Sequence, residues 1–444
     1  MIRLSLLACA IGLLFAAGVG FQTQTREEKV RNDRKKVEAD KLWIYNDLAK
    51  GYMEARRSGK PMLVVFRCIP CVECVKLDDD LVDKDPRVRP LLDKFVCVRI
   101  VSANGLDLST FQFDTDQSFS VFLLNADGTV YGRFGTRSHR TLWTDDVSVE
   151  GLARTLEGAL TLHQGYPANK ADLAGKRGPE PEFKSPEKYP MLAGKYGSEL
   201  DYSGSVVKSC IHCHQVGDAQ RDWYRERGGP LPERVLFPYP HPKAIGLILD
   251  PHEKALVTRV APNTPAARAG FRSGDALLKL GGHPLLSIAD VQWVLQHASP
   301  EGAVVKAEVR RGSRTVPVSL NLPKGWRHGD DISWRASSWG YRRMVTGGML
   351  LVDTEEEKRK ALGLSSGDMA LTVQHLGEFS PHDTAKRAGF QKGDVLVSFD
   401  GKTNLTRETD VMAYGLTECK SDATVPVTVV RGGAKVNLNL PMRR

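Results

Sequence analysis

The chain has few features of several large protein classes. Aromatic residues make up only 7% of its 444 positions, and no basic arm interleaves them with Lys and Arg. Nucleic-acid binding is therefore not expected, and the formal charge of +9 reads as a mixed, solvated surface. Beyond the first residues no apolar run is long enough to span a bilayer. No His, Asp and Ser set stands in a trypsin-like context, so hydrolysis is not expected. Cysteine is sparse, with eight in all: Cys9, Cys68, Cys71, Cys74, Cys97, Cys210, Cys213 and Cys419. No methionine occurs between Leu192 and Arg343. At about 100–200 residues per domain, the length implies roughly three domains.

What is present begins at the N-terminus. Arg3 precedes an almost wholly apolar stretch from Leu4 to Val19, followed by Gln22, Thr23 and Gln24. This is the layout of a secretory signal peptide over 1–24, so export to a periplasm or cell surface is expected. A membrane is involved only if that segment stays uncleaved. Export also places the cysteines in an oxidising compartment, where paired ones tend to become disulfides or cofactor attachments.

Residues 25–41 are charged without apolar periodicity and read as a linker or a solvated helix. A helix follows over Asp47–Arg57, closed by Gly59. Strands are expected at Met62–Phe66, Phe95–Val101, Ser120–Leu124 and Thr129–Phe134, with helices at Val75–Leu81 and Val149–His163. Cys97 falls on the second strand as a buried thiol. Residues 166–190, which contain five prolines, read as a linker. Residues 191–243 hold Cys210-Ile211-His212-Cys213-His214. Beyond Ala244 the chain repeats itself. Ala266-Ala267-Arg268-Ala269-Gly270-Phe271-Arg272-Ser273-Gly274-Asp275 aligns with Ala385-Lys386-Arg387-Ala388-Gly389-Phe390-Gln391-Lys392-Gly393-Asp394. The copies occupy 244–323 and 344–444, joined by the Trp- and Arg-rich stretch 324–343.

Three motifs carry chemistry. Cys68-Ile69-Pro70-Cys71-Val72-Glu73-Cys74 follows a strand and leads into a helix. Helix N-termini favour thiolate, and a second cysteine one turn on can resolve a mixed disulfide. This region resembles the CxxC region of thioredoxin-fold proteins over roughly 40–165. The resemblance puts the family pair on Cys71 and Cys74, with Cys68 as an extra thiol. Val72-Glu73 replaces the usual Gly-Pro, and Ser118-Phe119-Ser120 stands where the family has a cis-proline. A structural disulfide is the alternative use of the pair.

The CxxCH has the spacing for c-type haem attachment, with thioethers at Cys210 and Cys213 and iron on His214. Its flanks resemble the first helix of cytochromes c. A disulfide between Cys210 and Cys213, or a zinc site with His212 and His214, are the alternatives. The repeat resembles the "SPAxxAGLxxGDxI" region of bacterial PDZ domains, as in high-temperature-requirement proteases. Such domains bind extended protein C-termini as an added strand, with the carboxylate held by loop N–H groups. The resemblance assigns that loop to Ile245, Gly246 and Leu247 in the first copy and to Gly348 and Met349 in the second.

The expected class is thus a multidomain α+β protein: a thioredoxin-like α/β domain, a short CxxCH helical segment and two PDZ-like β-rich domains. The arrangement resembles thioredoxin/PDZ proteins of environmental bacteria, some carrying selenocysteine where this chain has Cys. The resemblance implies an exported thiol–disulfide redox protein, linked to haem c, that recruits protein clients. A non-enzymatic protein-binding scaffold is the second expectation.

Overall fold

The computed structural model describes residues 24–67, 69, 79, 85–117, 119–139, 144–228, 230–420 and 422–443. The expected signal segment up to Thr23, the cysteines Cys68, Cys71 and Cys74 and the expected helix at Val75–Leu81 lie outside these residues, save Asp79. No helix among the described residues is long and apolar enough to cross a membrane.

The first domain is a five-stranded sheet in the order β1-β3-β2-β4-β5. Its strands are β1 Trp43–Tyr45, β2 Met62–Arg67, β3 Val96–Ile100, β4 Phe119–Leu124 and β5 Val130–Phe134. β3 runs parallel to β1 and β2, while β4 is antiparallel to both β2 and β5. Every residue of β2 is buried, because apolar side chains alternate between two covered faces. Leu63 and Val65 face one core with Leu152, Leu156 and Ala159 of the helix Val149–Gln164. Met62, Val64 and Phe66 face the other core, with Ala55 of the helix Leu48–Ser58. That helix starts on Asp47, whose carboxylate accepts the Lys50 N–H, and ends on Gly59 at φ +69°.

The second face is completed by residues expected to stand apart. Tyr189, Leu192, Ile211, Val216 and Ala219 pack on Phe66 and Phe122. The CxxCH stretch is therefore a covering layer of the thioredoxin-like domain. The physical reason is that the second sheet face, apolar on β2 and β4, needs a cover that the helix Leu48–Ser58 alone is too short to supply.

Two stretches read as linkers, the first with a solvated helix as its alternative, are packed. Residues 25–41 form the helix Arg26–Ala39, opened by a reciprocal cap between Thr25 and Glu28. Its two valines, Val30 and Val37, stand seven residues apart and are buried, while its other side chains are mostly charged. Two apolar residues leave too thin a stripe for a periodicity signal. Within 166–190, Lys176 is 1% exposed, and its ammonium donates to the carbonyls of Tyr131 and Pro284 and to the Asp290 carboxylate.

The repeats fold alike. The first has β6 Leu247–Leu249 paired with β7 Val257–Val260, and a four-stranded sheet of β8 Ala276–Leu280, β9 His283–Pro284, β10 Ala303–Arg311 and β11 Arg314–Leu322. The second is one sheet in sequence order: β12 Met349–Asp353, β13 Leu371–Leu376, β14 Val395–Phe399, β15 Thr424–Arg431 and β16 Ala434–Pro441. Long helices lie at Ile288–His297 and Glu408–Thr417. The Gly-Asp turns have one physical cause in both copies. Asp275 takes Arg311 through two bonds of 2.7 Å, and Arg311 also donates to the Gly270 carbonyl. Asp394, Arg431 and Gly389 repeat this arrangement.

Candidate functional site: a cysteine-bearing corner and two strand edges

Parallel strands β2 and β3 end side by side, and β4 starts beside the end of β2 through the pairing Arg67 with Phe119. Cys68 follows Arg67 directly in the sequence. Arg67 is buried and ion-paired to Asp33 of the N-terminal helix. Burial raises the Asp33 carboxyl above its ordinary value despite the Arg67 and Arg99 charges. Ile69, between Cys68 and Cys71 in the sequence, packs with Val30, Val101 and Val206.

The CxxCH reaches the same corner. The Cys210 sulfur lies 3.9 Å from the Val101 carbonyl oxygen, just past β3. Ile211 is fixed by its N–H on Asn104 Oδ1 and by its carbonyl on the Ala103 N–H. Cys213 opens the helix Cys213–Arg225. On the β4 side, His214 Nδ1 lies 2.8 Å from the Thr115 carbonyl oxygen. With the sheet order β3-β2-β4, the motif passes over the end of β2, the strand that leads into Cys68, Cys71 and Cys74. The turn before it is pinned by Glu27, whose carboxylate accepts the Val206 and Val207 N–H groups. Burial and the neighbouring His214 hold His212 below the usual histidine range.

A haem needs both sulfurs on the porphyrin edge and the histidine on iron. His214 meets that need, because a carbonyl holds Nδ1 and leaves Nε2 for a metal. Cys210 does not: it is 7% exposed, with its sulfur turned to Val101 and its neighbour Ile211 locked in the core. The residues as folded do not fit a haem. Among the described residues, no three His, Cys, Asp or Glu side chains gather to hold a metal ion.

At the first repeat, Gly246 has φ +88° and its N–H is bonded to the Lys243 carbonyl, while Ile245 and Leu247 are fully buried. In the second, the Gly348 N–H is bonded to the Arg342 carbonyl, and Met349 is fully buried. β12 is an edge strand, yet its Leu351 N–H donates to Glu408 Oε1 at 2.8 Å.

Several residues that shape these sites were not singled out from the sequence. Arg335 binds Asp114 at 2.5 Å, and Ser337 donates to Asp116. Arg342 pairs with Glu408. Burial pushes Asp114 up to about 6, against the pull of Arg335. The charge-rich composition of 324–343 was the available signal. Gly363-Leu364-Ser365-Ser366-Gly367 also has Gly-x-Ser-x-Gly spacing. It follows the helix Glu356–Ala361 instead of a strand, and Ser365 donates to Asp368, so it is not a strand-to-helix nucleophile turn.

The geometry defines the domain classes, and comparison agrees. A thioredoxin-like family matches residues 43–126, and PDZ domain families match 256–311 and 348–442. The chain therefore carries an N-terminal thioredoxin-like domain followed by two PDZ domains. A probable periplasmic serine endoprotease, DegP-like, of Marinomonas sp. (strain MWYL1) is 28% identical over 187 residues, 42% of this chain and 36% of the relative. The periplasmic pH-dependent serine endoprotease DegQ of Escherichia coli (strain K12) is 26% identical over 193 residues, 43% of this chain and 37% of the relative. The chain spans little more than a third of the length of these curated relatives. A crystal structure of the HtrA3 PDZ domain bound to a phage-derived ligand is 32% identical, covering 16% of this chain and 65% of that one, with a TM-score of 0.14.

Proposed function

We propose that this is an exported thiol–disulfide redox protein that recruits protein clients through its PDZ domains. The observation that carries the reading is the convergence of CxxCH on the end of β2, where the CxxC stretch begins. Carboxyl ends of parallel strands are where α/β folds place their chemistry. The periplasmic location of the relatives, and the signal-like first residues, support export.

In the reducing direction the Cys71 thiolate attacks a client disulfide. A new S–S bond forms and one client sulfur leaves as thiolate. Cys74 then attacks the mixed disulfide, freeing the client dithiol and leaving Cys71 bonded to Cys74. Two electrons pass to the client, and a dithiol reductant restores the pair. The oxidising direction is the reverse.

The test is a substitution series with a disulfide-bonded model peptide. Cys74→Ser should accumulate a mixed disulfide through Cys71, and Cys71→Ser should abolish exchange. Exchange lost only in Cys68→Ser moves the attack to that thiol. Exchange indifferent to all three favours the scaffold reading, in which the domains only bind. An absorption spectrum of protein matured in a haem-attaching host adds a second check. A c-type band that survives denaturation would return Cys210 and Cys213 to haem attachment.

A further inference from the structure

The second PDZ domain holds its own peptide edge. Adding a client strand to β12 needs two things from the backbone: N–H donors in the loop before the strand, and N–H donors along its free edge. Both are in use. The Gly348 N–H goes to the Arg342 carbonyl at 2.9 Å, and the Leu351 N–H goes to Glu408 Oε1 at 2.8 Å. Glu408 is the first residue of the helix Glu408–Thr417, across the groove from β12. Arg342 fixes it through Nε at 2.9 Å and NH2 at 2.5 Å, and both side chains are under 5% exposed.

The groove between that helix and β12 is filled by the chain just before the loop. Val345 is fully buried against Gly415, where an added Cβ would come within 2.3 Å of it. Thr346 Oγ1 donates to the Met349 carbonyl, and Arg342 NH1 donates to Ser338 Oγ. The first copy also engages its loop N–H, Gly246 on the Lys243 carbonyl, but lacks the clamp, because Ile288 stands where Glu408 does and has no oxygen to accept a strand N–H.

The occupying segment is tied to the cysteine-bearing corner. Ser337 and Arg335, immediately upstream, hold Asp116 and Asp114 in buried bonds, and Thr115 between those aspartates holds His214. Arg221 of the CxxCH helix also pairs with Asp116 at 3.9 Å.

We propose that residues 338–346, clamped by Glu408, are a latch on the second PDZ domain, and that a client C-terminus with a free carboxylate binds there by displacing them. Release slackens the Arg335 and Ser337 anchors on the loop that holds His214. The latch thereby couples client binding to the thiol corner. It rests on the client-recruitment reading given above.

The experiment uses the full chain and a fluorescein-labelled pentapeptide ending in a free valine carboxylate. Hydrogen exchange of the unaltered protein should show lost protection across Ser338–Thr346 when the peptide binds. Glu408→Ala should tighten peptide binding by about ten- to a hundredfold, as expected if the open state is a minority of about 1–10%. Binding that leaves 338–346 protected, or an affinity unchanged in Glu408→Ala, overturns the latch and leaves recruitment standing. No binding by either protein overturns recruitment itself. The exchange measurement needs no variant, so a poorly folded Glu408→Ala does not decide the outcome.

Discussion

The two PDZ domains share their turns and differ in what surrounds their long helices. In the first copy, the helix Ile288–His297 is caged by other domains. Asp290 receives Lys176 from the stretch after the thioredoxin-like domain at 3.1 Å, and its Oδ1 receives the Arg133 N–H of β5. Arg327 binds the carbonyls of Leu295, Gln296 and Ala298 at the helix end. In the second copy, the helix Glu408–Thr417 meets the segment just upstream of its own domain, through Arg342 and Val345. Similar folds can thus be anchored from outside or from within. The choice lies in a few buried charges and not in the repeat motif.

The largest expected effect tests that contrast directly. Asp290 and Asp410 occupy matching places on the two helices. Asp290→Ala leaves the buried Lys176 and Arg133 charges uncompensated and should cost about 3–5 kcal/mol. Asp410→Ala removes a part-exposed pair with Arg407 and should cost under about 1 kcal/mol. Urea titration of the full chain, followed by tryptophan fluorescence, measures both. Equal costs would break the distinction.

The same interface has a pH signature. Burial holds Lys176 below its ordinary value, against the pull of Asp290. The unfolded chain then binds more protons below the usual lysine pKa of about 10.4, so stability rises with pH through that alkaline window. Lys176→Met should flatten this slope, and an unchanged slope would contradict the burial argument.

Next come the shared turns. Asp275→Asn and Asp394→Asn each remove a bidentate arginine bond of the same geometry. Their urea midpoints should fall by matching amounts, less than for Asp290→Ala. Unequal falls would show that the surroundings reach into the turn. Burial would raise Asp275, but Arg311 outweighs it and holds the carboxyl below its ordinary value. That contribution is present above pH about 4 and fades as pH drops below it.

The smallest effect concerns the turn glycines. Gly270 and Gly389 have φ of +84° and +94°, and neither meets a close neighbour. Alanine at either should cost about 1 kcal/mol from the left-handed backbone alone. Gly246→Ala should cost more, because its Cβ would lie 2.1 Å from Thr264 Oγ1. Thermal unfolding of the three variants ranks them.

Much of the architecture was legible in the sequence because its signals are local. Asp47 and Gly59 cap a helix whatever lies beyond it, and the unbroken apolar run Met62–Phe66 states that both faces are covered. The Gly-Asp turns at Asp275 and Asp394 each lead directly into a strand, Ala276–Leu280 and Val395–Phe399. The hairpin partners β11 and β16 were missed although Val316, Val318, Leu320 and Leu322, and Val436, Leu438 and Leu440, recur at every second position.

The helix Arg26–Ala39 and the stretch around Lys176 looked like linkers because charge usually marks a solvated segment. Here the charges have partners far away in the chain: Asp33 with Arg67, and Lys176 with Asp290. Sequence determined the domain classes, the repeat and the spacing of each cysteine motif, because these depend on residues within a turn or a strand of one another. Only the tertiary structure decided that CxxCH crosses the end of β2 and that Glu408 closes an edge strand. Those facts depend on contacts between residues tens to more than a hundred positions apart, which no local pattern encodes.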